Sequence, residues 1–177
     1  ISDFTAAIKL TDRKRDANGT TAINPSRLKY LEKRALAYYQ RHNWAETDAG
    51  ISRNIPSGTR DDLDRTIADC TEIIQLDPGY GDGYAYCLRA GAYERKADFQ
   101  RAVADYMRSV ELASSVSPGG AAGTRAYRAR ALALAGQIEK ATGDINEAIE
   151  IVSSASQVSP AAVRIVAWEL ATTADQR

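Results

Sequence analysis

The stretch DFQRAVADYMRSVEL, residues 98–112, decides the fold because an earlier part of the chain repeats it. Residues 62–76 read DLDRTIADCTEIIQL, and the two strings are 36 residues apart. Identical residues stand at five corresponding places: Asp62/Asp98, Arg65/Arg101, Ala68/Ala104, Asp69/Asp105 and Leu76/Leu112. Self-similarity at such a spacing indicates a stacked array of structural repeats.

Two weaker copies extend this pattern along the chain. A third copy is predicted to start at Asp144 (DINEAIEIVSSASQV), and residues 3–10 (DFTAAIKL) match the second half of the unit. A further stretch with apolar residues at three- and four-residue steps precedes each full copy, at residues 27–41, 83–96 and 125–141. Such spacing is typical of a helix with one packed face. Each repeat is therefore predicted to be two antiparallel helices.

Small residues are expected where the paired helices cross, because they let the axes approach to about 8–10 Å. The predicted crossing residues are Ala35, Ala90 and Gly136 on first helices and Thr66, Ala102 and Ala148 on second helices. Asp77-Pro78-Gly79 and Ser159-Pro160 mark the ends of second helices, since proline cannot continue a helix.

These features resemble the tetratricopeptide repeat family, whose unit carries large, small and aromatic residues in a set order. The best unit matches at Tyr86, Ala90, Tyr93, Ala102, Tyr106 and Ser109. The string RAGAY at 89–93 is echoed by RALAY at 34–38, and Leu76-Asp77-Pro78 is also typical. In the third unit Glu139 replaces the aromatic residue. The resemblance implies an all-α, right-handed superhelical solenoid of antiparallel helix pairs.

The predicted organisation is one tetratricopeptide array over residues 1–177. Its segments are the second helix of a partial repeat (1–12), a repeat (25–78) with an insert of about 19 residues (44–61), a repeat (82–116), a glycine-rich connector (117–128), a repeat (129–162) and the first helix of a partial repeat (163–177). The insert contains Trp44, Ile51 and Ile55, and both a packed flap and a partner-binding loop are open alternatives. Because the chain begins inside a repeat, we expect a fragment or a processed product.

Composition and motifs argue against several classes of function. The chain has 23 basic and 23 acidic side chains, so it lacks the excess of Lys and Arg that nucleic-acid binding needs. No apolar run reaches the length of a membrane span. P-loop, GxSxG and HExxH motifs are absent, and the only histidine is His42. We therefore predict a protein that is not an enzyme, with no catalytic, metal or cofactor-binding residues and no cofactor. Cys70 and Cys87 are predicted to be buried thiols, with a disulfide left open.

The family resemblance implies that a protein or peptide partner lies in a concave groove lined by the first helices. The helical phase opposite the packing face predicts the groove residues Leu36, Tyr39, Tyr84, Cys87, Leu88, Gly91, Arg95, Arg130, Leu134 and Gln137. One family mode grips a C-terminal carboxylate with Lys, Asn and Arg, and here only Arg130 matches it. The groove centre is apolar, which favours an amphipathic helix or an extended apolar segment over an acidic tail. Packing of these residues within the array is the alternative.

The leading functional prediction is a non-catalytic scaffold or adaptor that binds a partner in this groove. The alternatives are a repeat domain from a larger enzyme or sensor, and a peripheral structural or assembly subunit of a large complex. Open repeat ends would expose apolar surface and favour self-association. Alanine-rich helices suggest a bacterial source. The compartment is open, with the cytoplasm favoured over the periplasm.

Overall fold

The computed structural model describes residues 1–11, 25–47, 60–114 and 118–154. These residues form seven α-helices: α1 (Ser2–Thr11), α2 (Pro25–Thr47), α3 (Arg60–Leu76), α4 (Tyr84–Arg95), α5 (Phe99–Ser114), α6 (Pro118–Leu134) and α7 (Ile138–Ser154). A short helical turn, Tyr80–Gly83, precedes α4. In the described part of the chain, no helix combines the length and the apolar character needed to cross a bilayer.

The chain divides into two compact units, Ile1–Tyr80 and Gly81–Arg177. In the first unit α1 packs on α2 and α2 packs on α3. In the second unit α4 packs on α5, α5 on α6, and α6 on α7. Within each unit, helices that follow each other in the chain are neighbours in space, and α2–α3, α4–α5 and α6–α7 form helix pairs. The predicted all-α repeat architecture is confirmed.

Small side chains allow the helices of each pair to approach closely. Ala90 of α4 and Ala102 of α5 are fully buried in one cluster. In the first unit Ala35 and Thr66 are also fully buried, and the Thr66 hydroxyl donates a hydrogen bond to the Ala35 carbonyl oxygen at 3.3 Å. A larger side chain at either crossing would push the helix axes apart. Both crossings agree with the sequence prediction.

The third pair follows a different register from the predicted one, as the turns inside the pairs show. The turn between α4 and α5 has hydrogen bonds from Ala97 N to Glu94 O (2.9 Å) and from Asp98 N to Tyr93 O (2.9 Å). The turn between α6 and α7 has the corresponding bonds from Gly136 N to Ala133 O (2.9 Å) and from Gln137 N to Leu132 O (2.8 Å). The offset between the second and third pairs is therefore 39 residues. Asp144 corresponds to Asp105 and not to Asp98.

The predicted register of the third pair is wrong by seven residues, which is close to two helical turns. A shift of seven residues rotates a helix face by only about 20°, so the apolar pattern looks almost unchanged. The residues at the crossing are consequently Ala129 and Ala141, which are buried in one cluster. Gly136 lies in the turn instead, and Ala148 is buried farther along α7. Leu132, rather than Glu139, stands in the place of the aromatic Tyr93.

The predicted connector at residues 117–128 is also wrong where the structure describes it, because α6 runs from Pro118 to Leu134. Ala121, Ala122 and Gly123 are buried in this helix. Glycine costs about 1 kcal/mol relative to alanine inside a helix, but tertiary packing overrides such local preferences. Proline is well placed at the first position of a helix. The third pair therefore starts at residue 118 and not at residue 129.

Several predicted segments lie partly or wholly outside the described residues. The insert at 44–61 is described only at its ends, where residues 44–47 belong to α2 and residues 60–61 belong to α3. Its role as a packed flap or a partner-binding loop stays a prediction. The first helix expected over residues 163–177 lies wholly outside the described part.

A glycine is required where the chain enters α4. Gly83 has a φ of +87°, a conformation that L side chains rarely adopt. A Cβ added there would lie 3.0 Å from the Cα and the carbonyl oxygen of Ser109 on α5. The start of α4 is thus held directly against the α5 backbone.

Candidate protein-interaction surface

An arginine–aspartate bridge joins the two helices of each described pair at an equivalent place, and in the first pair Arg41 forms a second such bridge with Asp62. In each bridge the arginine donates from Nε to Oδ2 and from Nη2 to Oδ1 of the aspartate. The two distances are 2.9 and 2.7 Å for Arg34 and Asp69, and 2.7 and 2.8 Å for Arg89 and Asp105. Arg128 donates to Asp144 from Nε at 2.6 Å and also from Nη2. The aspartate side chains are at most 11% exposed. Such paired, largely buried charges fix the two helices in one arrangement.

The bridges also change the electrostatics of the arginines. The hydrogen bond to Asp69 raises the pKa of Arg34, against the opposing effect of burial. The hydrogen bond to Asp144 raises the pKa of Arg128 in the same way. These guanidinium groups are engaged inside the pairs, so we assign them a structural role.

Sequence reasoning identified the recurrence of these residues but missed their pairing. Asp69 and Asp105 are identical in the two best copies, and Arg34 and Arg89 open the repeated RALAY and RAGAY strings. An interval of 16 residues from arginine to aspartate occurs in the second and third pairs. That interval is the signal that identifies the bridge. In the first pair the insert lengthens it to 35 residues, which hides the equivalence.

In the second unit the predicted groove residues lie on α4 and α6, except Gln137, which lies in the turn after α6. An ion pair links these two first helices. Arg130 donates to Glu94 from Nε to Oε1 at 2.7 Å and from Nη2 to Oε2 at 3.2 Å. The Tyr106 hydroxyl donates to the same carboxylate at 3.3 Å. The Arg130 Cζ atom lies 5.5 Å from the centroid of the Tyr127 ring. The positive charge of Arg130 is therefore already neutralised. A ligand carboxylate would compete with Glu94 for this guanidinium.

Three predicted groove residues of α4 belong to the packed interior instead. Leu88 is 7% exposed, Gly91 is buried, and Cys87 is half-buried. Burial raises the pKa of the Cys87 thiol to about 11, and a hydrogen bond with Thr124 partly opposes this rise. The structure thus corrects the predicted apolar groove centre, since Leu88 is covered by its own fold.

Four predicted residues of the second unit keep accessible side chains, and we refer to them as the first-helix face: Tyr84, Arg95, Leu134 and Gln137. Tyr84 is 38% exposed and Leu134 is 44% exposed, whereas Arg95 is exposed and Gln137 is half-buried. Tyr84 begins α4 and Leu134 ends α6, so the two apolar side chains mark opposite ends of this face.

Leu134 also borders a cleft of about 580 Å³ beside the turn between α4 and α5. The other residues that line the cleft are Lys96, Ala97, Asp98, Phe99, Gln100 and Ala135. Ile138, just beyond Leu134 in the chain, is 55% exposed. Leu134 and Ile138 are thus exposed apolar side chains near a cleft whose other lining is largely polar, whereas Glu94 and Arg130 pair farther along the first helices.

In the first unit, the predicted groove residues Leu36 and Tyr39 are half-buried on α2. On the same helix Glu32 accepts a hydrogen bond from the Tyr80 hydroxyl at 2.9 Å. Burial, and then this hydrogen bond, raise the pKa of Tyr80 to about 12. Leu36 and Tyr39 are thus partly accessible in their own unit.

Comparison with known proteins identifies the repeat in the second unit. The tetratricopeptide repeat family model matches residues 83–115, which contain α4 and α5. No curated protein matches the sequence. Among solved structures, the chain is similar to the N-terminal domain of stress-induced protein-1 (STI-1) from C. elegans, with a TM-score of 0.49, 16% identity, and coverage of 78% of this chain and 96% of that chain. The α4–α5 pair is a tetratricopeptide repeat, and the resemblance found in the sequence is confirmed there.

Proposed function

We propose that this chain is a non-catalytic scaffold that binds a peptide or helix of a partner protein through the first-helix face. The tetratricopeptide repeat at residues 83–115 supports a role in protein–protein interaction in general. The observation that carries the finer proposal is the exposure of Tyr84 and Leu134, two large apolar side chains on neighbouring first helices. Because the two side chains lie at opposite ends of the face, we expect each to contact a different apolar side chain of the bound segment.

The partner segment is expected to be apolar or amphipathic and not acidic. The side chains of Arg130 and Glu94 are 34% and 10% exposed. Displacing Glu94 would leave its largely buried carboxylate without its guanidinium, and breaking a buried pair costs about 3–5 kcal/mol. An acidic tail therefore gains little at Arg130. An apolar side chain laid on Tyr84 or Leu134 gains from removal of apolar area from water.

Affinity measurements on surface variants test this proposal. A partner is first captured on the full chain and identified by mass spectrometry, and its purified form is then titrated by calorimetry. Tyr84→Glu and Leu134→Glu should each weaken binding about tenfold or more, because a charge would replace an apolar contact. Met107→Glu is the matched control, since Met107 is 49% exposed on the second helix α5.

The possible results distinguish an error in the proposed binding surface from an error in the proposed scaffold function. Unchanged affinity of both first-helix variants would exclude this face, and a loss confined to Met107→Glu would move the contact to α5. Tight binding of an acidic-tail peptide that is abolished by Arg130→Ala would reverse the proposed partner chemistry. Failure of the full chain to retain any protein at a defined stoichiometry would contradict the scaffold function itself.

A further inference from the structure

The two helices of the first pair are held together at their insert end by a different contact from the one in the second pair. In the second pair Asp98 follows Tyr93 by five residues, and its backbone N–H donates to the Tyr93 carbonyl oxygen at 2.9 Å. The corresponding residues of the first pair, Tyr38 and Asp62, are 24 residues apart in the chain. A tight turn of this kind cannot join them, so another contact has to hold α2 against α3 at this end.

That contact is the buried bridge between Arg41 of α2 and Asp62 of α3. Arg41 donates from Nε to Asp62 Oδ2 at 2.7 Å and also from Nη2 to Oδ1. The Asp62 side chain is fully buried, whereas the side chain of the equivalent Asp98 is 34% exposed. An aspartate that stands beside a turn in the second pair is thus the buried acceptor of a contact across the first pair.

Neighbouring side chains hold Arg41 in place. The Tyr38 ring is buried, and the Cζ atoms of Arg41 and Arg65 lie 5.6 and 5.4 Å from its centroid. Arg65 Nη1 also lies 3.9 Å from Asp62 Oδ1. The buried carboxylate is therefore flanked by two guanidinium groups, and the aromatic ring attracts both cations.

Both helices continue past the bridge. α2 runs on for six residues beyond Arg41 to Thr47, and α3 begins two residues before Asp62. In contrast, α4 ends at Arg95, two residues after Tyr93. The bridge therefore joins regular helix to regular helix, and its geometry is set by the two helices rather than by the chain that connects them.

We propose that the Arg41–Asp62 bridge is a clasp that replaces the tight turn and makes this end of the first pair a site that tolerates inserted sequence. The clasp fixes the register of α2 against α3, so the pair keeps its geometry when the chain between residues 47 and 60 is changed. The length of that chain then matters through closure entropy alone, which rises slowly with length. A rigid scaffold of this kind can carry a functional segment without loss of the fold. The inference is independent of the proposed first-helix face.

Exchange of the enclosed segment in the full chain tests whether the clasp or the segment holds the pair. Replacing residues 48–59 with a glycine–serine segment of equal length should leave the urea midpoint unchanged, and shortening it to about six residues should shift the midpoint only slightly. Arg41→Met in the otherwise unchanged chain should lower the midpoint clearly, because Asp62 would stay buried without its main donor. An exchange that lowers the midpoint as much as Arg41→Met would overturn the proposal.

Amide hydrogen exchange shows whether the clasp acts at this end of the pair. Arg41→Met should speed exchange at residues 38–41 and 62–66 by about tenfold or more, through local opening. The matched control is Arg27→Met, which removes a bridge to Glu72 near the other end of the same two helices, where the side chains are 23% and 35% exposed. This control should leave exchange at residues 38–41 and 62–66 unchanged.

A milder variant keeps the test decisive where Arg41→Met loses too much structure. Arg41→Lys keeps the charge but cannot donate two parallel bonds to one carboxylate, so it should also speed exchange at residues 38–41 and 62–66, by a smaller factor. Exchange at these amides that is unaffected by Arg41→Lys, or affected equally by Arg27→Met, would overturn the proposal.

Discussion

Arg89 donates two parallel hydrogen bonds to Asp105, from Nε to Oδ2 at 2.7 Å and from Nη2 to Oδ1 at 2.8 Å, and thereby joins α4 to α5. Because the guanidinium is planar and permanently charged, it recognises a carboxylate in a defined orientation. The bridge therefore restricts the rotation and sliding of the two helices more strictly than apolar contacts do. The same bridge in the other described pairs gives each pair the same internal geometry.

Removal of the carboxylate from this bridge should be strongly destabilising. Asp105→Ala is expected to lower the free energy of unfolding by about 2–4 kcal/mol, because Arg89, whose side chain is 16% exposed, would remain largely buried without its partner. Glu147→Ala is the control, since Glu147 pairs with Arg125 but is 60% exposed, and should cost about 1 kcal/mol or less. Urea unfolding followed by circular dichroism measures both, and equal costs would contradict a special role for the bridge.

The close approach of Gly83 to Ser109 predicts that even a methyl group is harmful at the start of α4. Gly83→Ala should destabilise the protein by about 1–3 kcal/mol, through its positive φ and the clash with the α5 backbone. Gly143→Ala is the matched control, because a Cβ there meets no atom within 4 Å. Gly143→Ala lies in the interior of α7 and should raise the free energy of unfolding by about 0.5–1 kcal/mol. Thermal unfolding that shifts in the same direction for both variants would be inconsistent with this account.

Ala97 in the α4–α5 turn and Gly136 in the α6–α7 turn occupy equivalent positions. Replacing Ala97 with glycine and Gly136 with alanine should have opposite effects on the free energy of unfolding. Their φ angles are +59° and +76°, both in the left-handed region. Gly136→Ala should cost about 1 kcal/mol, whereas Ala97→Gly should be neutral or stabilise by up to about 1 kcal/mol, because glycine relieves the left-handed strain but raises the entropy of the unfolded chain. Chemical denaturation measures the two changes. A marked destabilisation by Ala97→Gly would contradict the equivalence of the turns.

Deprotonation of the Cys87 thiol should lower the free energy of unfolding in alkaline solution. Burial raises its pKa from 9.0 to about 11, so between these values the unfolded chain has released the proton while the folded protein retains it. The stabilising preference for the protonated thiol is therefore full below pH 9 and is lost as the pH rises towards 11. The loss should be on the order of 2–3 kcal/mol.

Stability measured from pH 7 to pH 11 in the wild type and in Cys87→Ala isolates this effect. The variant should show a shallower decline above pH 9, while Tyr80, whose pKa is raised to about 12, contributes equally to both proteins. Identical pH profiles would show that the thiol does not titrate in this way. Slow alkylation of Cys87 at neutral pH, compared with the unfolded chain, is an independent check.

The helix pairs and most crossing residues were predictable, because they rest on local patterns. Ala35, Ala90 and Ala102 stand at helical spacing on apolar faces, and the structure buries them fully. The candidate site was predicted less completely. Helical phase shows which face of an isolated helix Leu88 occupies, but it does not show that neighbouring parts of the fold cover that side chain. Tyr84, at the first residue of α4, stays accessible.

Repetition of short strings such as RALAY and RAGAY was sufficient to specify an all-α array of helix pairs, since helical periodicity and small crossing residues are present within each copy. The register of the third pair needed the folded chain, because a shift of seven residues hardly rotates a helix face. The pairing of Arg130 with Glu94 also needed it. Arg130 follows Glu94 by 36 residues, an interval close to the repeat length, but the interval alone does not show that the two side chains face each other on neighbouring helices.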